Sequence, residues 1–284
     1  MNRNTIAQTQ TAPSLIGRAG GESKIETYSF SVEPFHVDFT GHLFMGVLGN
    51  HLLNAAGRHS HNRGWGIDQL NERHYTWVLS RLSIELTEMP AQYEHVEVET
   101  WVESVMKLFT ERNFLIRNAD DGRIYGYARS IWAMIDVETR QPSNLLEINN
   151  GDILRYVMTA EEKPCPIEKF GRTLRFSDEP FCAIPTHYSD VDINGHINSI
   201  KYIEHILDVL YEQRHPYLTG SGLGESPRIR RFDIAYKTES YLGDALTFFT
   251  ENVEGVDHVE IRKHVGNAEK PAGDVVVQAK VKWE

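Results

Sequence analysis

Twice along the chain, short-period alternation gives way to a helical period, and each time a series of alternating runs follows. In the first half, Leu43, Val47, Leu48, Leu52 and Ala55 recur at the spacing of one helical face, which predicts a helix within residues 42–61. Gly46, Gly49 and Gly57 lower its intrinsic propensity, so tertiary packing has to hold it. In the second half, Ile197, Ile200, Ile203, Ile206, Leu207 and Leu210 form a fuller stripe and predict a helix over residues 197–211. Lead-in strands are predicted within residues 25–37 and 181–187. After the first helix, residues 75–86, 95–102, 108–118 and 124–137 read as strands, with Asp120-Asp121-Gly122 as a hairpin turn. After the second, residues 229–236, 245–251, 258–264 and 275–283 do the same, with a turn at 252–255. Val96 and Val98 against Glu97 and Glu99 show the alternation of an antiparallel sheet covered on one face and wet on the other.

Strand, helix, then strands, twice over, predicts two similar α+β domains. The expected boundaries are a flexible tail at 1–21, a first domain at 22–140, a connection at 141–178 and a second domain at 179–284. The connection carries Pro142, Pro164 and Pro166 with Asn149 and Asn150, and a short helix is expected near 150–159. A single amphipathic helix cannot bury its stripe alone. The simplest arrangement wraps each sheet around its own helix and lets the two sheets meet.

A phrase repeats just before each helix: Asp38-Phe39-Thr40-Gly41-His42 and Asp192-Ile193-Asn194-Gly195-His196. Only the second sets a carboxylate, an amide and an imidazole at alternating positions. An extended stretch puts such positions on one side, and a helix amino terminus adds backbone N–H groups that receive negative charge. Those pieces suit attack on a carbonyl. They also suit capping and a tight bend at Gly195, so the motif alone leaves both readings open. Glu239 ends an alternating run; there it either polarises water or is a solvated charge. Ser240 beside it lacks the Gly-x-Ser-x-Gly elbow of a nucleophilic serine.

A formal charge of -11 argues against a nucleic-acid binder, which needs a basic face. Cys165 and Cys182 show no metal-like spacing and read as reduced thiols of a cytoplasmic protein. The histidines form no His-Glu-x-x-His pattern, and no Rossmann or Walker glycine pattern stands in a suitable context, so neither metal nor cofactor is expected. No run approaches the roughly 20 apolar residues of a membrane span.

The chain resembles the acyl-acyl-carrier-protein thioesterases of plants and bacteria over nearly everything after residue 20. The first half matches through Trp77-Val78-Leu79-Ser80-Arg81, Val96-Glu97-Val98-Glu99-Thr100-Trp101-Val102 and Arg129-Ser130-Ile131-Trp132-Ala133-Met134. The most specific match runs from Ser189 to Asn198 and continues through Lys201-Tyr202-Ile203; a later one is Ala235-Tyr236-Lys237-Thr238-Glu239-Ser240. The resemblance implies a tandem double hotdog, two antiparallel sheets each wrapped around a long central helix. It implies hydrolysis of the thioester between a fatty acyl chain and the phosphopantetheine arm of acyl carrier protein. The family's active-site residues fall on Asp192, Asn194, His196 and Glu239, with Asp192 either aligning the network or attacking directly. Plant members carry cysteine after the glutamate, where this chain has Ser240, which disfavours an obligatory cysteine mechanism.

Under that resemblance an apolar tunnel is needed, and Met45, Leu48, Leu52, Trp77 and Trp101, with Asn198 beside the motif, are the expected substrate-binding residues. An acidic carrier needs a local positive patch, for which Arg228, Arg230 and Arg172 are the candidates. On a strand, Arg231 points away from Arg228 and Arg230. The competing readings are an acyl-CoA thioesterase, a noncatalytic acyl-chain binding protein and a dehydratase. Two fused halves are compatible with a monomer or a homodimer.

Overall fold

The computed structural model describes residues 23–171, 176, 179–215, 228–264 and 273–284. Strand β1 (Ile25–Ser31) leads through a 3-10 turn (Pro34–His36) to helix α1 (Met45–His61). A short helix α2 (Ile67–Asn71) follows, then β2 (Tyr75–Leu86), β3 (His95–Val105), β4 (Phe109–Asn118) and β5 (Ile124–Asp136). The second half repeats the plan with β6 (Cys182–Pro185), a 3-10 turn (Tyr188–Asp190), α3 (Ser199–Arg214), β7 (Ile229–Tyr236), β8 (Ala245–Val253), β9 (Val256–His264) and β10 (Asp274–Trp283). Between the halves lies a 3-10 segment (Ile148–Tyr156) broken by left-handed Asn149, Asn150 and Gly151.

The expected two sheets are one. Strand order is β1-β3-β4-β5-β2-β7-β10-β9-β8-β6, and the halves join where β2 pairs antiparallel with β7, Leu82 opposite Ile234 and Ile84 opposite Phe232. These side chains are fully buried, so the seam runs through the core. A join at that point removes an exposed strand edge from each half. The result is a hotdog-like mixed fold with a large antiparallel sheet.

Helices α1 and α3 lie against each other, and small residues set how closely. A Cβ added at Gly49 would stand 2.8 Å from Ile200 Cδ1, and one at Gly46 would stand 2.7 Å from Glu204 Cγ. The low helix propensity of these glycines is thus the cost of a close crossing. Leu48, Leu52, Ile203 and Ile206 are fully buried in the core shared with Leu82, Ile84, Phe232 and Ile234. Each such side chain stabilises the fold by about 1.5–3 kcal/mol.

A second, smaller core gathers Trp65, Leu70, Met134, Leu145, Ile148, Ile153 and Tyr156. The segment that reads as a plain connection therefore has its own apolar anchor, and α2, which has no clear periodic signature, is held by Leu70. No helix among the described residues is long and apolar enough to cross a membrane.

Candidate active site

The second repeated turn is built by Asp192. Its Oδ1 accepts the backbone N–H of Asn194 at 2.8 Å and of His196 at 3.3 Å, and Asn194 Nδ2 donates to Oδ2 at 3.5 Å. Gly195 takes the left-handed bend at φ +80°, which a side chain would strain. Asn198 then caps α3, its side chain accepting from Ile200 N–H at 2.9 Å. The turn thus needs Asp192, Gly195 and Asn198 for shape, leaving His196 and the second Nδ2–H of Asn194 for other partners.

Glu239 comes to this turn from the exit of β7. Ile197 N–H donates to Ser240 C=O at 2.9 Å, which fixes the two segments against each other. His196 Nε2 then stands 3.5 Å from Glu239 Oε2. Tyr241 donates its hydroxyl to the same oxygen at 3.3 Å, and its ring meets the His196 ring edge-on at 5.1 Å. Partial burial, and then the Glu239 carboxylate, push the Tyr241 phenol up, so it stays a donor. Arg140, from the turn after β5, donates to Glu239 Oε1. Lys263 Nζ donates to the Glu239 backbone carbonyl at 2.6 Å. The side chains of His196 and Glu239 keep 25% and 34% of their exposure, so water reaches the pair.

Ser240 is fully buried, its Oγ 2.5 Å from the Tyr202 hydroxyl, whose pKa burial pushes up to about 12. A hydroxyl in that position anchors β7's exit to α3 and cannot reach a substrate. Both thiols are raised by burial and remain unpaired. Among the described residues no cluster of His, Cys, Asp and Glu has the arrangement of a metal site.

The structure thus brings Asp192, Asn194, His196 and Glu239 together and scatters the other expected residues. Met45, Leu48 and Leu52 lie in the main core. Trp101 does not join them. On β3, Thr100 faces α1 through Arg112, which donates to Thr100 Oγ1 at 3.2 Å and to Ser60 Oγ at 3.2 Å. Alternation puts Trp101 on the opposite face, beneath Lys163, whose Nζ is 4.8 Å from the ring centre. Trp77 packs against the smaller core and donates Nε1–H to Trp65 C=O at 2.9 Å. Asn198 spends its side-chain oxygen on the helix cap.

The arginines expected to dock a carrier are also remote. Arg230 donates to Leu86 C=O at 2.6 Å near the start of β7, while Glu239 follows the strand's far end. The six steps from Arg230 to Tyr236 alone span about 20 Å. Arg228 and Arg230 line a cavity of about 1130 Å³ together with Glu88, Glu204, Asp208, Glu212 and Glu284, an acidic surrounding that does not favour an acidic partner. Arg231 is committed to the other face, bonded to Glu85 and Asp233. Arg172 lies outside the described residues.

That cavity opens on the first repeated turn, with Asp38, Thr40, His42, Phe44 and Met45 in its wall. Sequence reasoning missed three neighbours of the Glu239 carboxylate and its anchor: Arg140, Tyr241 and Tyr202. Tyr241 had a signal in its proximity to Glu239, whereas Arg140 sits in an unpatterned turn 99 residues away.

Comparison with known proteins bears on the same two halves. A family model described as the acyl-ACP thioesterase N-terminal domain matches residues 24–149, and one described as the C-terminal domain matches 177–284. A crystal structure of an acyl-ACP thioesterase from Bacteroides thetaiotaomicron is similar at 50% identity and TM-score 0.79, covering 93% of this chain and 99% of that one. A 12:0-ACP thioesterase from Umbellularia californica shares the fold at TM-score 0.73 and 19% identity, covering 92% of this chain and 98% of that one. The chloroplastic palmitoyl-acyl carrier protein thioesterase of Arabidopsis thaliana is 25% identical over 276 residues, 94% of this chain and 62% of that protein. A palmitoyl-acyl carrier protein thioesterase of Gossypium hirsutum is 26% identical over 206 residues, 69% of this chain and 49% of that protein. The chain therefore spans about half to three-fifths of the length of these two plant relatives.

Proposed function

Because this chain belongs to the acyl-ACP thioesterase family, we propose that it hydrolyses fatty acyl thioesters of acyl carrier protein, releasing free fatty acid and the carrier's pantetheine thiol. The observation that carries the reading is the Glu239–His196 pair, 3.5 Å apart and open to water beside the amino end of α3. Glu239 takes a proton from water as its oxygen attacks the thioester carbonyl. The Nδ2–H of Asn194 that does not face Asp192 receives the developing oxyanion, since the backbone N–H groups of residues 194–198 are held within the turn and by Ser240. The C–S bond then breaks, and the proton taken by Glu239 passes through His196, 3.5 Å away, to the leaving sulfur, which restores both side chains. Asp192 is a turn-builder in this scheme: its Oδ1 is already held by two backbone N–H groups, which supports orientation of Asn194 over direct attack.

Each half is proposed to be a hotdog unit, with first-domain and second-domain limits near 22–140 and 179–284, so that the whole is a double hotdog with α1 and α3 at its centre. The glycine-lined contact of α1 with α3 and the repeated order of elements support this. An acyl carrier protein is the proposed partner.

The test is turnover by the full chain on a panel of saturated acyl-carrier thioesters and on the matched CoA thioesters. Higher kcat/KM on the carrier-bound series supports the proposal. Equal or higher kcat/KM on CoA thioesters makes it an acyl-CoA thioesterase, and saturable acyl binding without turnover removes the enzymatic reading.

A further inference from the structure

The turn that follows β5 is tightly built. Asp136 Oδ1 accepts the N–H of Glu138 at 3.0 Å and of Thr139 at 2.7 Å, and the Thr139 hydroxyl at 3.0 Å. Arg140 N–H closes it on Asp136 C=O at 2.9 Å. Arg140 itself sits at φ +58°, a left-handed position that glycine or asparagine occupies with less strain. Nothing in the turn uses the arginine side chain. Its guanidinium instead leaves the first half and meets Glu239 Oε1 in the second.

That contact divides the carboxylate. Oε1 goes to the cation, and Oε2 is left to His196 and Tyr241. A base that must take a proton from one water needs one oxygen held and the other presented. An unheld carboxylate rotates between both, and small misplacements near reacting atoms cost rate steeply. The competing reading is a surface ion pair of little consequence, since the two side chains keep 46% and 34% of their exposure. A consequence-free pair does not account for an arginine placed at a backbone position that penalises it.

We propose that Arg140 is a positioning residue for Glu239, so that the first half completes the second half's active site. This rests on Glu239 being the general base.

The two readings separate in Arg140→Gly, which removes the side chain and relieves the backbone at once. Using the acyl-carrier thioester that wild type turns over fastest, R140G is expected to keep its KM within about threefold and lose about 10- to 100-fold in kcat. Its Tm should be no lower than wild type, because glycine fits φ +58°. Guanidinium chloride, at concentrations well below those that unfold the chain, should restore about fivefold or more of the lost kcat in R140G and leave wild type unstimulated. Arg140→Lys should fall between the two, keeping the charge without the fork. Wild-type kcat in R140G overturns the proposal, as does a loss that guanidinium does not repair. Glu239→Gln serves as the separate control. If it is inactive while R140G is normal, only the role of Arg140 fails; if it is fully active, the assignment of the base fails with it.

Discussion

Asp38 and Asp192 each accept the N–H groups two and four residues ahead, and Gly41 and Gly195 each turn at φ +80°. Each aspartate's own N–H returns to the carbonyl of the histidine, 2.8 Å in both copies. Yet the side chains added to this common backbone differ. Leu43 N–H donates to Pro90 C=O where Ile197 N–H donates to Ser240 C=O, so Met89 occupies the place of Glu239. Thr40 replaces Asn194; its one hydroxyl hydrogen goes to Asp38 Oδ1 and its oxygen lies 3.0 Å from His42 Nδ1, whereas Asn194 has a second Nδ2–H beyond the one it gives Asp192. Phe44 replaces Asn198 and caps α1 with no side-chain hydrogen bond. The duplicated turn has thus kept the aspartate and glycine that its bend requires and the histidine, and has diverged at Asn194, Asn198 and Glu239. The imidazole persists in both, but only one faces a carboxylate.

The largest effect should come from the carboxylate position. Glu239→Gln is expected to lower kcat on acyl-carrier thioesters by about 10²- to 10⁴-fold. Met89→Leu, its counterpart, should stay within about threefold of wild type. A comparable loss at Met89 would show that the first turn shares in the chemistry.

The next contrast is in acid stability. His59, near the end of α1, is buried, and its pKa is lowered to about 2 by burial, then by Arg112 and Arg63. Its counterpart along α3 is Gln213, which is exposed. A histidine kept neutral by folding contributes stability that is complete above its unfolded pKa near 6.5. That contribution is lost as pH falls, because the unfolded chain then binds the extra proton. The slope is about 1.4 kcal/mol per pH unit below that point, or about 2 kcal/mol at pH 5. Urea denaturation of wild type and His59→Gln between pH 7 and 5 should give curves that converge towards acid. Parallel curves would mean that keeping His59 neutral in the fold contributes no pH-dependent stability.

The helix caps give a smaller contrast. Asn198→Ala should destabilise the protein by about 1 kcal/mol, and Phe44→Asn, at a half-exposed site with the same backbone angles, should stabilise it by about 0.5 kcal/mol. Equilibrium denaturation measures both. A loss in Phe44→Asn would show that Phe44 packs into its cavity wall more than its exposure implies.

What the chain discloses without coordinates follows the range of the interactions. Strands β2 and β7 are legible to the residue because each alternates within one run. The β2–β7 seam is not, because pairing Leu82 with Ile234 depends on partners 152 residues apart that carry no local mark. The two tryptophans fail for a related reason. Their hydrophobicity is visible, but the face of Trp101 and the satellite core around Trp77 are set by what covers them, including Lys163 and Trp65 of distant segments. The motif itself was readable as turn or catalyst, and Glu239 reached it only through the resemblance to a family. Arg140 had neither a pattern nor a motif, since its role depends on a turn of one half touching the strand exit of the other.

Histidine is the one chemical group both turns retain, so it offers the most direct test that catalysis is confined to the second. Single-turnover hydrolysis of an acyl-carrier thioester should be measured for His196→Ala and His42→Ala, with Tm recorded for both. A loss of about 10²-fold or more is expected for His196→Ala, with His42→Ala within about threefold of wild type. Equal losses in two folded variants would contradict that confinement.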